Sequence, residues 1–306
     1  MVAAPNPLSF DTAFSPPTGV PEPVAPGVVR VTAPNRGPYT FTGTNSFLLG
    51  GPASVAVLDP GPDDAAHLAA LLAAISGRRV EAILLTHTHR DHSALAPKLQ
   101  AATGAPLWFA GRHRLSRKPR PLERNSVDSH SDWDLVPDRH LRDGESITVA
   151  GLDLTVITTP GHCANHICLG LTGSGDVLTG DHVMGWNSTL VSVPDGSMAD
   201  YLDSLRKLIA LPYRRYLPAH GGPIGDGPGY AEALLAHRLR RNQQIVAAVA
   251  GGARRIGDLL RELYPGLAPT LVPAARMVLA AHVEYLEAHG AIAVRRGLAG
   301  LTLAPS

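Results

Sequence analysis

The sequence predicts a layered α/β fold followed by a smaller, mainly helical unit. Short apolar strands alternate with helix-like segments as far as residue 229, which is the pattern of stacked sheets and helices. Several of these strands end in histidine or aspartate, and from Tyr230 the composition changes to helix-forming residues. The 306 residues, 44% of them hydrophobic, are enough to bury a large core and to leave room for a second unit.

Residues 1–27 are rich in proline and are predicted to form an extended arm that lies on the body of the protein. Proline removes backbone donors, so regular pairing is not expected there. Short strands with glycine and proline turns between them are predicted over 28–32, 39–42, 46–49 and 55–58. Asp59 leaves the last of these strands, where it either orients a ligand histidine or caps a turn.

A helix and a histidine-rich loop come next. Asp63 and Asp64 offer an N-cap for the helix, and Gly77 ends it. The apolar run 82–85 then leads into Thr-His-Thr-His-Arg-Asp-His at 86–92. Four side chains that bind metals therefore fall within one short loop at a strand end.

The spacing within this loop predicts a metal site. Side chains alternate along an extended chain, so His87, His89 and Asp91 can point to one side while His92 points away. One loop can therefore supply ligands to two neighbouring ions. Imidazole and carboxylate groups favour Zn²⁺, with Fe²⁺ and Mn²⁺ as alternatives, and the other interpretation is a polar turn without metal.

Histidine or aspartate recurs at later strand ends. After a helix over 94–103 and a strand over 107–110, further strands are predicted over 152–157, 167–171, 177–179 and 216–217. His162, Asp181 and His220 follow the first, third and last of these four strands. Loops at one edge of a sheet gather side chains from distant sequence, so we expect these residues beside the histidine-rich loop.

Composition excludes several classes of protein. The net charge of +1 gives no strong field toward nucleic acid or membrane. No apolar run reaches the roughly 18 residues of a spanning helix, and no basic region precedes an apolar stretch at the N-terminus. The two cysteines, Cys163 and Cys168, suggest neither a metal pair nor a disulfide framework. We expect a soluble, cytoplasmic protein without a membrane partner.

Two regions carry local positive charge. Segment 112–120 holds five basic residues and either contacts phosphate or forms a solvated loop. Helices over 232–250, 256–264 and 274–289, with a hairpin of 291–295 and 301–304, predict a winged-helix-like unit that either binds nucleic acid or walls the active-site cleft. Arg238 and Arg241, on one helix face, are either an anion clamp or partners in surface ion pairs.

Four motifs occur in order along the chain: Thr-His-Thr-His-Arg-Asp-His at 86–92, Pro-Gly-His at 160–162, Thr-Gly-Asp at 179–181 and Pro-Ala-His-Gly at 218–221. Together they resemble the metallo-β-lactamase superfamily. Further likeness at 43–45, 58–61 and 180–186, and around Arg238 and Arg241, points to the branch related to glyoxalase II, which carries a C-terminal helical domain.

This resemblance implies a four-layer αββα sandwich over residues 28–229 with a binuclear metal site at one edge of its two sheets. Residues 230–306 would be the winged-helix-like domain. The implied ligand set has one group for each metal and one bridging residue: His87, His89 and His162; Asp91, His92 and His220; and Asp181. Asp91 and Asp181 would be catalytic, with a hydroxide that bridges the two metal ions as the nucleophile.

The resemblance also narrows the substrate. Zinc β-lactamases of the superfamily usually have cysteine where Asp181 stands, and the flavodiiron branch has glutamate where His89 stands, so neither activity is expected here. The expected substrate is an ester, thioester or lactone of a small acyl compound. One alternative is an endoribonuclease acting on single-stranded RNA, and another is a nucleic-acid-binding regulator with a vestigial hydrolase site. Asn165, His166 and His182 are candidates for supporting or substrate contacts.

Overall fold

The computed structural model describes residues 8–121, 123–297 and 300–306. Two mixed sheets pack face to face, and helices cover the outer face of each sheet. Apolar side chains from both sheets, among them Leu58, Leu84, Leu154 and Leu169, fill the space between them. The layered α/β fold predicted from the sequence is therefore confirmed.

The first sheet has seven strands whose spatial order is their order in the chain. They are β1 (Pro21–Ala25), β2 (Val28–Thr32), β3 (Asn45–Gly50), β4 (Ser54–Leu58), β5 (Arg79–Leu84), β6 (Leu107–Phe109) and β7 (Arg139–His140). Strands β4 to β7 run parallel, so their carboxyl ends meet at one edge. Three helices follow β4 and β5: α1 (Ala65–Ile75), α2 (Arg90–Ser93) and α3 (Ala96–Thr103). The N-cap of α1 is Asp64, as predicted.

The second sheet has five strands in the order β12-β11-β10-β9-β8. These are β8 (Ser146–Val149), β9 (Leu152–Thr158), β10 (Ile167–Leu171), β11 (Asp176–Gly180) and β12 (Arg215–Pro218). Helices α4 (Met198–Ile209) and α5 (Gly227–Ala250) cover its outer face through residues such as Tyr201, Leu205 and Leu234. Strands β11 and β12 are parallel, so the loops after them leave the sheet at one edge.

The C-terminal residues form three helices and a hairpin around a separate apolar cluster. Helix α5 is followed by α6 (Ile256–Leu263), α7 (Val272–Ala288), β13 (Ile292–Gly297) and β14 (Gly300–Pro305). Helix α5 joins both parts, because Leu234 packs in the sandwich while Ile245 packs with Leu279 and Leu303 in the C-terminal cluster. Among the described residues, no helix has the length and apolar character needed to cross a membrane.

The proline-rich arm pairs with the body more regularly than expected. Pro21–Ala25 forms β1, in which Pro21 lies opposite Val31 and Pro23 opposite Val29. An edge strand tolerates proline because only one of its sides needs backbone donors. The prediction of an arm without regular pairing was therefore wrong for these residues, while residues 1–7 of the arm lie outside the described residues.

The strand predicted over 39–42 is a turn instead. Gly37 and Phe41 form an isolated bridge, and Phe41 has a left-handed backbone with φ of 55°. The ring of Phe41 stacks on Trp186 with 4.8 Å between ring centroids. Phe41 thus fastens this turn against the loop after β11.

Two of the five basic residues in segment 112–120 are paired with carboxylates. Arg117 makes two-pronged contacts with both Glu123 and Glu284, at 2.6 and 2.7 Å, and Arg120 donates to Glu284 at 2.6 Å. Glu284 lies on α7. Carboxylates therefore neutralise these two arginines, and Glu284 ties the segment to α7.

This ion-pair network predicts a pH-dependent loss of stability in Glu123→Gln. Hydrogen bonds from Arg117 lower the pKa of Glu123 from 4.5 to about 2, so its contribution is present above pH 4.5 and is lost as the pH falls toward 2. Urea unfolding at pH 7 should show a loss of about 1 kcal/mol, modest because the pair is partly exposed. The exposed Glu262→Gln is the control, and an equal loss in both variants would contradict the network.

Candidate metal centre

Seven side chains from four separate loops converge at one edge of the two sheets. The loop after β5 and helix α2 supply four of them, and the loops after β9, β11 and β12 supply one each. They form two adjoining groups, and within each group the ligand atoms lie within 4.8 Å of one another: His87, His89 and His162; and Asp91, His92, Asp181 and His220. The structure thus brings together all seven residues that the resemblance implies as ligands.

The first group, which we call the three-histidine cluster, consists of His87, His89 and His162. The Nε2 atom of His87 lies 3.1 Å from Nδ1 of His89, and that atom lies 2.8 Å from Nε2 of His162. All three rings are buried, so bulk water is not the partner that these nitrogens face. Three imidazole nitrogens directed at one point are the donor set of a transition-metal ion.

The second group, the mixed cluster, joins carboxylates to imidazoles. The Nε2 atom of His220 lies 3.3 Å from both Oδ2 of Asp91 and Oδ1 of Asp181. Asp181 Oδ2 lies 3.5 Å from Nε2 of His92 and 3.6 Å from Nε2 of His162. Asp181 therefore stands between the two clusters, where a single carboxylate can reach both.

Each of the five histidines has an acceptor at its outward nitrogen. The pairs are His87 with Thr86 Oγ1 at 3.0 Å, His89 with Asp195 Oδ2 at 3.0 Å, His92 with Asp59 Oδ2 at 3.0 Å, His162 with the Leu190 carbonyl at 2.6 Å and His220 with the Gly43 carbonyl at 3.3 Å. A neutral imidazole carries one proton, so a proton held outward leaves a lone pair facing the cluster. The outward acceptors therefore set both the orientation and the tautomer of these imidazole rings for metal binding.

Buried polar atoms without partners show that a pair of cations fits this site. Nε2 of His92, Nε2 of His220 and Oδ1 of Asp181 are buried and make no hydrogen bond among the described residues. A buried polar atom left unpaired costs roughly 1–3 kcal/mol, and more if it is charged. The donor set of imidazoles and carboxylates suits divalent ions that accept nitrogen and oxygen ligands.

The two clusters differ in their electrostatics. Burial lowers the pKa of His87 and lowers that of His162 to about 4, and the charge of neighbouring histidines lowers both further, so these two rings favour the neutral form. The carboxylate of Asp195 instead raises the pKa of His89 against the effect of burial. Burial also opposes a charged His220, yet the carboxylates of Asp181 and Asp91 outweigh it and raise its pKa to about 10. The mixed cluster therefore attracts positive charge, and protons compete with metal cations for binding to it.

Two of the outward acceptors are carboxylates from outside the histidine-rich loop. Asp59 accepts from the Thr86 backbone and hydroxyl, both at 2.7 Å, and from His92, which is the orienting role considered for it from the sequence. Asp195 accepts from His89 and, at 2.7 Å, from His113. The role of Asp195 was missed because no motif marks it and it lies 106 residues from His89.

A sequence model described as the Metallo-beta-lactamase superfamily matches residues 39–220, more than half of the chain. The chain belongs to the metallo-β-lactamase superfamily. The matched region contains every member of the two clusters.

Relatives of this superfamily member include both curated proteins and solved structures. Lactamase-like protein vrtG of Penicillium aethiopicum is 30% identical over 247 residues, covering 78% of this chain and 73% of that protein. The atrochrysone carboxyl ACP thioesterase of Aspergillus fumigatus is 30% identical over 240 residues, covering 77% and 70%. A metallo-beta-lactamase family protein of Thermus thermophilus is 28% identical with a TM-score of 0.74, covering 92% of this chain and 99% of that one.

Other predicted site residues of this superfamily chain surround the clusters without joining them. Asn165 donates to Thr88 Oγ1 at 2.8 Å and to the Gly111 carbonyl at 2.9 Å. His166 accepts from the Asp181 backbone N–H at 3.0 Å. His182 is buried against Tyr201 with neither ring nitrogen hydrogen bonded among the described residues. Asn165 and His166 therefore brace ligand-bearing segments, whereas His182 stands apart from both clusters.

Arg238 and Arg241 reach the cleft beside the clusters, each with a protein partner of its own. Arg238 is 2% exposed and donates to the Thr189 carbonyl. Arg241 donates to the Leu263 carbonyl at 3.2 Å and lies over the Tyr264 ring. Thr189 in turn donates to the Asp181 carbonyl at 2.8 Å, so the buried Arg238 supports the loop that carries Asp181.

Replacement of Asp195 should weaken one of two metal sites. Asp195→Asn removes the carboxylate that holds the outward nitrogen of His89, and losing such a partner typically reduces metal affinity about 10- to 100-fold. Calorimetric titration of the metal-free protein with Zn²⁺ measures the zinc affinity of both sites. Asp200→Asn, an exposed position on α4, is the control. Unchanged affinity at both sites in Asp195→Asn would refute the orienting role.

Proposed function

We propose that the protein is a metal-dependent acyl hydrolase that cleaves an ester, thioester or lactone. The supporting observation is the convergence of five inward-facing imidazole nitrogens on two points, with Asp181 between them. His87, His89 and His162 would hold one divalent ion, and the mixed cluster would hold the other. Zn²⁺ is the favoured ion, with Fe²⁺ and Mn²⁺ as alternatives.

The chemistry follows from the positions of the two aspartates. When bound, two divalent cations would lower the pKa of water and polarise the substrate carbonyl. Asp181 is almost fully buried, so its role is to hold charge between the clusters. The Asp91 side chain is 30% exposed and lines the cleft, where it can accept the proton of the attacking water. Water then adds to the acyl carbon, the bond to sulfur or oxygen breaks, and the leaving group takes the proton.

Two observations favour an acyl substrate over single-stranded RNA. One relative is a thioesterase by name. Of the basic segment 112–120, Arg117 and Arg120 are paired with carboxylates, which leaves less positive charge for a phosphate backbone. We therefore rank the endoribonuclease second, and the regulator with a vestigial site third, because seven converging ligand groups serve no purpose in a site without metal.

The C-terminal unit fits this proposal as a wall of the cleft. Its three helices and hairpin pack around one apolar cluster, which is consistent with a winged-helix-like domain. Arg261 and Arg296 on this unit pair with Asp258 and Glu287. These carboxylates partly neutralise the positive charge of the C-terminal unit. We propose that the main contribution of this unit is to substrate binding.

Thioester hydrolysis tests the proposal directly. The zinc-loaded protein should release thiol from hexanoyl-N-acetylcysteamine, and chelation should abolish this release. Asp181→Ala should lower kcat at least about 100-fold, since it removes the carboxylate between the two clusters. Asp200→Asn serves as the control, and circular dichroism checks folding of both.

The same preparations should leave single-stranded RNA intact. Cleavage of RNA with no release of thiol would instead favour the endoribonuclease. Turnover of the thioester that persists after chelation or in Asp181→Ala would rule out the two-metal proposal.

A further inference from the structure

One cleft of about 550 Å³ connects the two clusters to the C-terminal helices. His89, Asp91, His162 and Asp181 lie at one end of its lining. The lining continues onto α7 and the segment before it, far from the ligand groups in sequence. A substrate whose carbonyl lies at the clusters must therefore place its remaining atoms in this space.

The far wall of the cleft is an apolar stripe on α7. Leu271, Ala274, Ala275 and Val278 recur at intervals of three and four residues, which places them on one face of the helix. Leu271, Ala274 and Val278 are only partly buried. The adjoining face of α7, with residues such as Leu279 and Val283, is buried in the C-terminal cluster. The stripe is thus apolar surface that the chain itself leaves uncovered.

The near wall is apolar as well. Pro38 and Tyr39 come from the turn after β2, Phe10 from the N-terminal arm and Trp186 from the loop after β11. Tyr39 is 44% exposed, so part of its ring is free to contact a ligand. The stack of Phe41 on Trp186 holds this turn in place. Aromatic and aliphatic side chains therefore face each other across the space.

The charged groups of the cleft lie away from most of its apolar lining. Arg90 and the carboxylates lie at the cluster end, and Arg238 and Arg241 are each held by a hydrogen bond to a backbone carbonyl. A cleft of this volume is typical of sites that bury a drug-sized ligand, whereas an acetyl group would leave most of it unfilled. Burial of apolar surface is what such walls favour energetically.

We propose that the cleft is an acyl-chain site that selects medium-length or longer aliphatic and aromatic acyl groups, with the chain laid along the α7 stripe. This inference rests on the proposed acyl-hydrolase function and adds the class of acyl group. It assigns Leu271, Ala274 and Val278 to specificity and leaves the reacting carbonyl to the clusters.

A series of thioesters tests the inference. Acetyl, butyryl, hexanoyl and decanoyl N-acetylcysteamine are hydrolysed by the zinc-loaded protein, and kcat/KM is measured for each. Each methylene that becomes buried should raise kcat/KM up to about fourfold, so hexanoyl, with four more methylenes, should exceed acetyl by up to about 250-fold. A value of kcat/KM independent of chain length would overturn the inference while leaving the hydrolase proposal intact.

Three variants test whether the chain-length effect depends on the apolar stripe of α7. Ala274→Trp fills the cleft and should reduce the hexanoyl-to-acetyl ratio of kcat/KM at least about tenfold. Arg276→Trp introduces the same side chain at an exposed position that does not line the cleft, and it should keep the wild-type ratio. Leu271→Ala, which removes part of the wall without adding bulk, should lower the ratio in a variant that folds more easily. Equal ratios in the Ala274 and Arg276 variants would contradict the proposed site.

Binding of the product carboxylates separates this inference from the proposed function. Calorimetry with acetate, hexanoate and decanoate should show Kd falling with chain length in the zinc-loaded protein, and Ala274→Trp should abolish the trend. Such a trend without hydrolysis of any thioester would support the acyl site and reject the hydrolase. Absence of the trend, with thioesters hydrolysed, would reject the acyl site alone.

Discussion

The candidate metal centre depends on hydrogen bonds at the outward nitrogens of its histidines. A neutral imidazole has one N–H and one lone pair, so whichever nitrogen meets an acceptor decides what the other presents. Asp59 holds His92 in this way and Asp195 holds His89. Without these acceptors, inward N–H groups would oppose one another across distances near 3 Å. Carboxylates that do not join the clusters thus make the clusters competent to bind cations.

The sheet supplies one of these acceptors through its strand register. Strands β4 and β5 are parallel with Leu58 opposite Leu84, so Asp59 leaves its strand beside the start of the histidine-rich loop. Its backbone N–H donates to the Leu84 carbonyl at 2.9 Å, and its carboxylate reaches Thr86. Packing between the two sheets fixes this register. The core that stabilises the fold therefore also sets the geometry of the site.

Features whose signal is local in the sequence could be predicted. Ligand spacing within 86–92 and polar residues at strand ends identified side chains that the structure brings together, because parallel strand ends share an edge. Prediction failed where the cause was distant in sequence. Asp195 has no motif, and the carboxylates that neutralise Arg117 come from outside the basic segment. The strand predicted over 39–42 is a turn, because Phe41 stacks on Trp186, which lies far away in sequence.

One cleft connects the two clusters, the proposed acyl-chain site and the C-terminal helices. The central claim concerns the clusters. That claim is that two divalent ions bind, one in each cluster. Inductively coupled plasma mass spectrometry of the zinc-loaded and desalted protein measures directly how many zinc ions each chain binds. We expect two equivalents of zinc per chain, and one equivalent in His220→Ala, which loses a ligand of the mixed cluster alone. One equivalent or none in the unaltered chain would contradict the claim.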